Sequence, residues 1–418
     1  MKKATLLLGM IICVVGVLYL KDADVDTVLI KQHADNQVME QLIQDTKEIA
    51  LNKEEEETES EPDPEMGEAQ NTSADVVVLE NKEGSSLAFF GLSMEEQKVY
   101  TEILTALLAL DTKTTLSSCD RSLIDKAFQC VMLDHPEIFY VDGYKYTEYK
   151  SGDTVNKIVF SGNYLYTAEE IADRKARIGQ KVADIMAGIP DTDDEYQIVK
   201  YFYETLISGT EYDMDSGDHQ NICSVFLNGK SVCQGYAKAF QYLLHQAGME
   251  SGLVIGTVKD GDSHAWNLVS VNGNWYFVDV TWGDANYLLS EGEENKTVTH
   301  NGFVNYDYLC VTTEQLCKTH TVQMPVSMPE CSTMTDNYYV REGLYFTEYD
   351  EERIAGLFEM AYASGKDAVT LKCSNDEVFE RISTELIGQQ KVFSFISARD
   401  GAIAYTDNKE QGSITFWL

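Results

Sequence analysis

Two blocks govern the architecture. The first is Gly229-Lys230-Ser231-Val232-Cys233-Gln234-Gly235-Tyr236-Ala237. The second is Ser263-His264-Ala265-Trp266-Asn267-Leu268-Val269-Ser270-Val271-Asn272-Gly273-Asn274-Trp275-Tyr276-Phe277-Val278-Asp279-Val280-Thr281-Trp282. After Cys233 the apolar residues Tyr236, Phe240, Leu243, Leu244 and Ala247 recur at helical spacing, and Gly248 is a natural stop. Cys233 therefore falls at the start of a helix, where unsatisfied N–H groups and the positive end of the dipole stabilise a thiolate. The second block reads as a hairpin. Residues 263–271 and 274–282 are its strands, and Asn272-Gly273 is the two-residue turn. That loop length sets Val271 opposite Asn274, Trp266 opposite Asp279 and His264 opposite Thr281. His264 and Asp279 then lie diagonally on one face, with Cα atoms about 7 Å apart.

An acid inside an apolar, aromatic strand is costly to bury without a partner, and a histidine on the same face supplies one. Cys233, His264 and Asp279 fit a thiol triad: a nucleophile, a base that later returns the proton, and an acid that fixes the imidazole. The same residues also fit a structural cysteine beside an unrelated His–Asp pair. His245 lies twelve helical residues from Cys233, about 18 Å along the axis, too far to act as its base. His219 is in a loop, and Asp260 and Asp262 precede His264 as further candidates to orient it. The run from Asp213 to Asp218 is no calcium loop, because its twelfth position is Ser224 and not glutamate. No metal-ligand spacing, phosphate loop or dinucleotide fingerprint occurs, so no metal and no cofactor is expected.

The chain has 418 residues, with 69 acidic and 32 basic side chains and a net charge of −37. Such a charge disfavours nucleic acid and anionic lipid as partners. With 44% hydrophobic residues, most of the chain can bury a core. Nine cysteines in this length are not a disulfide scaffold. Cys119 with Cys130 and Cys310 with Cys317 are near in sequence, but spacing assigns no bridge.

Residues 1–20 open with Lys2 and Lys3 and continue as an uncharged apolar run, a signal peptide or signal-anchor. Bulky residues where a cleavage site would lie favour the uncleaved anchor. The expected location is then the cell membrane, single-pass with the remainder outside, or else secretion. Residues 21–88 read as an acidic disordered stalk. Within it, 53–83 holds twelve acids and two lysines.

Residues 89–165 read as a helix-hairpin region. Ser93 with Glu96 is a capping-box signature, a helix spans 123–133, and strands at 138–150 and 156–165 flank Ser151-Gly152-Asp153. Residues 166–320 form the core, with helices opened by Thr167/Glu170 and Thr192/Glu195. Residues 321–418 alternate helix and strand signals at 344–346, 353–363, 368–372, 378–386 and 392–396, as a small α/β accessory domain would.

The order V-C-Q-G-Y-A, S-H-A-W-N and W-Y-F-V-D-V-T-W resembles the transglutaminase-like superfamily of papain-type thiol enzymes, in particular bacterial cell-surface proteins with such a core. The resemblance covers 192–290. Asp134-His135-Pro136-Glu137-Ile138-Phe139-Tyr140 and Tyr306-Asp307-Tyr308-Leu309 are similar to segments that flank it in bacterial members. It implies an α+β fold with the cysteine helix packed on an antiparallel sheet. It implies Cys233 as nucleophile, His264 as general base and acid, and Asp279 as orienting acid. Gln234, Gly235 and Trp266 are the candidate substrate-binding residues.

Two function classes follow. One is an extracytoplasmic cysteine acyl-transfer enzyme acting through a thioester on peptide or carboxamide bonds, as peptidase/amidase or protein cross-linker. The other is a non-catalytic surface interaction module on the same fold. The expected partner is a protein or peptide, cell-wall or lysine-rich, drawn by the negative charge.

Overall fold

The computed structural model describes residues 13–19, 86–151, 153–259, 261–284, 303–396 and 402–418. The expected stalk lies outside these residues up to position 85. So does most of the expected anchor, of which β1 (Cys13–Tyr19) is described as a strand. No helix among the described residues is long and apolar enough to cross a membrane.

The region after the stalk begins with α1 (Leu87–Phe90), α2 (Met94–Leu108), the short strand β2 (Thr114–Thr115) and α3 (Arg121–Asp134). Ser93 and Glu96 form the reciprocal capping box read from the sequence. Asp134, at the end of α3, accepts the backbone N–H groups of Ala88 and Phe89 at 2.8 and 2.9 Å, tying α1 to α3. The hairpin β3 (Val141–Ser151) and β4 (Thr154–Tyr164) follows, with β2 on the far edge of β4.

Helix α4 (Ala168–Met186) opens with the Thr167/Glu170 capping box. Helix α5 (Glu195–Gly209) is capped by Asp194 and not by Thr192. The Thr192 hydroxyl instead accepts the Asp194 N–H at 3.0 Å, which presents the Asp194 carboxylate to Tyr196 N–H. Strands β5 (Glu211–Tyr212) and β6 (Lys230–Ser231) form a parallel pair ahead of α6 (Cys233–Gln246).

Next come β7 (Ser251–Val258), β8 (Ser263–Val271) and β9 (Asn274–Val278). A single-turn helix α7 (Val280–Gly283) and another, α8 (Thr313–Leu316), precede β10 (His320–Val322). The four-stranded antiparallel sheet runs β10-β7-β8-β9. α6 packs on β7 and β8, and Asn267 on β8 donates to the Ala237 carbonyl at 2.9 Å. Tyr236, Phe240, Leu243 and Leu244 on this helix are fully buried. This is the α+β core expected from the two motif blocks.

The C-terminal part holds α9 (Tyr338–Arg341), β11 (Tyr345–Phe346), α10 (Glu351–Ser364), β12 (Ala368–Cys373), α11 (Asp376–Ser383), β13 (Ala402–Asn408) and β14 (Ser413–Trp417). Its sheet has the order β1-β13-β14-β12-β11 and its own apolar core around Phe358, Leu371, Ile382 and Phe416. The last segment of the expected alternation, 392–396, is largely a 3-10 turn at Lys391–Ser394. Strands β13 and β14 complete the sheet. The eight cysteines from Cys119 to Cys373 are free thiols.

Candidate active site

The Asn272-Gly273 turn forms as the sequence requires, with both residues at positive φ, 50° and 80°. The register is the expected one, from Val271 opposite Asn274 to Asn267 opposite Val278. The return strand, however, stops at Val278. Asp279 leaves the ladder and caps α7, its carboxylate accepting the Trp282 N–H at 3.0 Å. Thr281 is therefore helical and does not face His264. The Asp279 side chain satisfies the first turn of that helix, which competes with strand continuation.

His264 and Asp279 nevertheless meet. His264 Nε2 donates to Asp279 Oδ2 at 2.6 Å. Cys233, the first residue of α6, is within hydrogen-bonding reach of the same imidazole. With Nε2 engaged by Asp279, Nδ1 is the nitrogen left to face the thiol. Relative exposure is 0% for Cys233, 4% for His264 and 1% for Asp279, so the whole line is withdrawn from water. Val258, at the end of β7, packs over Cys233.

The electrostatics follow from that burial. Desolvation pushes the His264 imidazole down, but the Asp279 carboxylate outweighs it and lifts the group to about 10. Burial pushes Asp279 up, and the histidines more than reverse this, holding it well below the usual carboxylate range.

A residue absent from the sequence reading, His320, completes the site. Its Nε2 donates to the same Asp279 oxygen at 3.1 Å, and its Nδ1 lies 2.8 Å from Thr319 Oγ1. Trp282 packs against both imidazoles, with ring centroids 5.7 Å from His264 and 4.5 Å from His320. The pairing of β10 with β7 brings His320 here, and no local pattern around position 320 announces it. His264, Asp279 and His320 offer three ligand atoms within 4.8 Å of one another, a set that could hold a metal ion. Both histidine contacts to Asp279 have hydrogen-bond lengths, which a cation between them would have to spread.

Gln234, Gly235 and Trp266 have different surroundings. Gln234 is half-buried. A Cβ on Gly235 would meet the His219 carbonyl at 2.7 Å and Ser224 Oγ at 2.9 Å, so this glycine permits close packing at the start of α6. Trp266 is fully buried and stacks on His264 with a centroid separation of 5.8 Å. His245 bonds the Ser251 carbonyl and His219 the Ser216 carbonyl. Asp260 lies outside the described residues.

A helix-start cysteine packed on an antiparallel sheet that carries the histidine, with the aspartate just past the end of its return strand, is the arrangement of the two motif blocks. Residues 183–280 match the family model of the transglutaminase-like superfamily, and this segment carries a transglutaminase-like core. The kyphoscoliosis peptidase of Mus musculus is 26% identical over 145 residues, covering 31% of this chain and 21% of the relative. Its Homo sapiens counterpart is 26% identical over 135 residues, covering 28% and 20%. The chain thus spans about a fifth of the length of the curated relatives it matches. A solved structure described as a TGase is 15% identical, covers 38% of this chain and 48% of its own, and has a TM-score of 0.25.

Proposed function

We propose that the protein is a cysteine acyl-transfer enzyme in which Cys233 attacks a peptide or carboxamide carbonyl. The observation that carries this reading is the buried line from Cys233 through His264 to Asp279. In it, His264 takes the thiol proton, the C–N bond breaks as a thioester forms, and the proton passes to the departing amine. Water then releases the acyl group as an acid, or a second amine takes it as an amide. Asp279 holds the imidazole so that one nitrogen faces the thiol, and it stabilises the imidazolium. The Cys233 N–H at the start of α6 is suited to the oxyanion, because the first N–H groups of a helix lack intrahelical partners.

Peptidase or amidase action is preferred over cross-linking, and Gln234 is the proposed substrate contact with solvent access. The name peptidase on the kyphoscoliosis relatives is in keeping with that preference. An outward-facing location rests on Lys2, Lys3 and the apolar run behind them. Membrane insertion of that run would withdraw β1 from β13. Recovery of the full-length chain in the cytosolic fraction would overturn that location.

The test of the activity is incubation with a primary-amine probe and, separately, with a peptide library. Cys233→Ala is expected to abolish every thioester-derived product, and activity surviving the substitution sinks the assignment. A second reading, a non-catalytic interaction module, draws on the complete burial of Cys233. It requires a thiol that stays inert to iodoacetamide at pH 6.

A further inference from the structure

Asp279 is joined to the C-terminal domain by an unbroken run of buried polar groups. Gln411, in the turn between β13 and β14, donates from Nε2 to the Tyr308 hydroxyl at 3.3 Å. The Tyr308 and Thr319 hydroxyls are 3.4 Å apart. Thr319 Oγ1 lies 2.8 Å from His320 Nδ1, and His320 Nε2 lies 3.1 Å from Asp279 Oδ2. Every member is buried: Gln411, Tyr308, Thr319, His320 and Asp279 are each 4% exposed or less.

The direction of these bonds follows from which groups can donate. An ionised carboxylate only accepts, so the His320 proton sits on Nε2. Burial pushes the His320 imidazole down despite Asp279, and the Thr319 hydroxyl lies 2.8 Å from its Nδ1 and 3.4 Å from the Leu316 carbonyl. Thr319 and Tyr308 share a hydroxyl–hydroxyl bond, and Tyr308 accepts from Gln411. The chain segment at Tyr308 is pinned from both sides. Its carbonyl accepts the Asp279 N–H at 3.0 Å. Its neighbour Asp307 holds Lys372 at 2.8 Å and Ser413 at 2.6 Å, both from the C-terminal sheet.

We infer that His320 is a positioning residue for Asp279, and that the C-terminal domain supports it through Gln411, Tyr308 and Thr319. The inference rests on the triad reading and extends it. Asp279 Oδ2 receives two N–H groups, and the one from His320 keeps the carboxylate oriented toward His264. Without it, a buried lone pair loses its donor and the acid can turn away from the imidazole.

The test reads the rate of Cys233 alkylation by iodoacetamide across pH 6–8 in the full chain, with no substrate needed. His320→Leu is expected to slow alkylation at pH 6 by about tenfold, the loss of one hydrogen bond to a charged group. His320→Gln, which restores an N–H donor, should recover the rate to within about threefold. Since a fully buried position is altered, Tyr308→Phe and Thr319→Val serve as milder variants, each removing one hydroxyl. Each should slow alkylation at pH 6 by about two- to fivefold.

If His320→Leu folds and keeps the rate and pH profile of the unaltered protein, the positioning role is overturned. If it does not fold, unchanged rates in Tyr308→Phe and Thr319→Val overturn the inference, and slowed rates support it. Unchanged rates in those two variants overturn the link to the C-terminal domain even where His320→Leu is slowed. A thiol inert at pH 6 in the unaltered protein overturns the triad reading and this inference with it. A reactive thiol with unaffected variants overturns this inference alone.

Discussion

Asp279 collects the side chains of His264 and His320 and the N–H of Trp282, and each donor favours its ionised form. Its charge lifts the His264 imidazole above its ordinary value, to about 10, which favours an imidazolium once the thiol proton has been taken. Alkylation of Cys233 at pH 6 should therefore be faster in the unaltered protein than in Asp279→Asn, where the imidazole has lost its counter-charge. Equal rates for the two proteins would count against the imidazolium.

Stability should carry the same signature. The folded His264 group lies above its ordinary value of 6.5, so its contribution is complete below pH 6.5 and is lost as pH rises through about 10. Asp279 is shifted the other way. Its contribution is present above the usual carboxylate range and is lost as pH falls through its depressed folded value. The urea midpoint should fall between pH 7 and pH 10, and fall less in Asp279→Asn. At this scale the sequence was informative about three of the four groups at the site. Cys233, His264 and Asp279 stand in local patterns that carry a reason for each, whereas His320 stands in none.

The elements that present these residues are set largely by local chemistry. Ser93, Thr167 and Asp120 cap their helices, and Asn272-Gly273 turns the hairpin, all within a few residues of the side chains responsible. The return strand is the instructive departure. Trp275 to Trp282 is apolar and aromatic enough to continue as strand, but Asp279 offers its carboxylate to the next turn and the chain becomes helical. Caps compete with ladders, and a buried acid already committed to histidine is well placed to win.

Gly256 on β7 has an equally local cause with a distant effect. A Cβ there would run into the Thr321 backbone oxygen and approach Trp266 Cη2 at 2.7 Å. Gly256→Ala should push β10 off β7 and cost about 1–3 kcal/mol in urea unfolding. It should also slow Cys233 alkylation by moving His320. A variant of unchanged stability would show that β10 yields without cost.

Across the whole molecule, the C-terminal domain meets the core through a buried ion pair. Lys372 and Asp307 are 2.8 Å apart, with side chains 3% and 4% exposed. Burial pushes the Lys372 ammonium down, and Asp307 only partly offsets this. Removing one partner leaves the other buried and uncompensated, which typically costs about 3–5 kcal/mol. Lys372→Met should destabilise the protein on that scale in urea unfolding, and the double variant with Asp307→Leu should recover most of the loss. An additive double variant would show that the two charges act independently. The domain therefore has an energetic tie to the segment that carries Tyr308, beside the site. Alternation of helix and strand signals indicated that a small α/β unit was present, but nothing in that pattern indicated where it docks.

By itself the sequence determined the hairpin, the cysteine at a helix start, the Ser93 and Thr167 caps, and the net charge of −37 that disfavours nucleic acid. These are properties of turn residues, periodicity and composition, and each is complete within a short window of chain. Tertiary structure alone decided that Cys233 reaches His264, that the His264–Asp279 pair survives the end of the strand, and that His320 joins it. It also decided that Gln411 reaches Tyr308. Those contacts span 41 residues between Asp279 and His320 and 103 between Tyr308 and Gln411. Such contacts arise where packed elements converge, and the buried polar groups there must find partners wherever the fold supplies them.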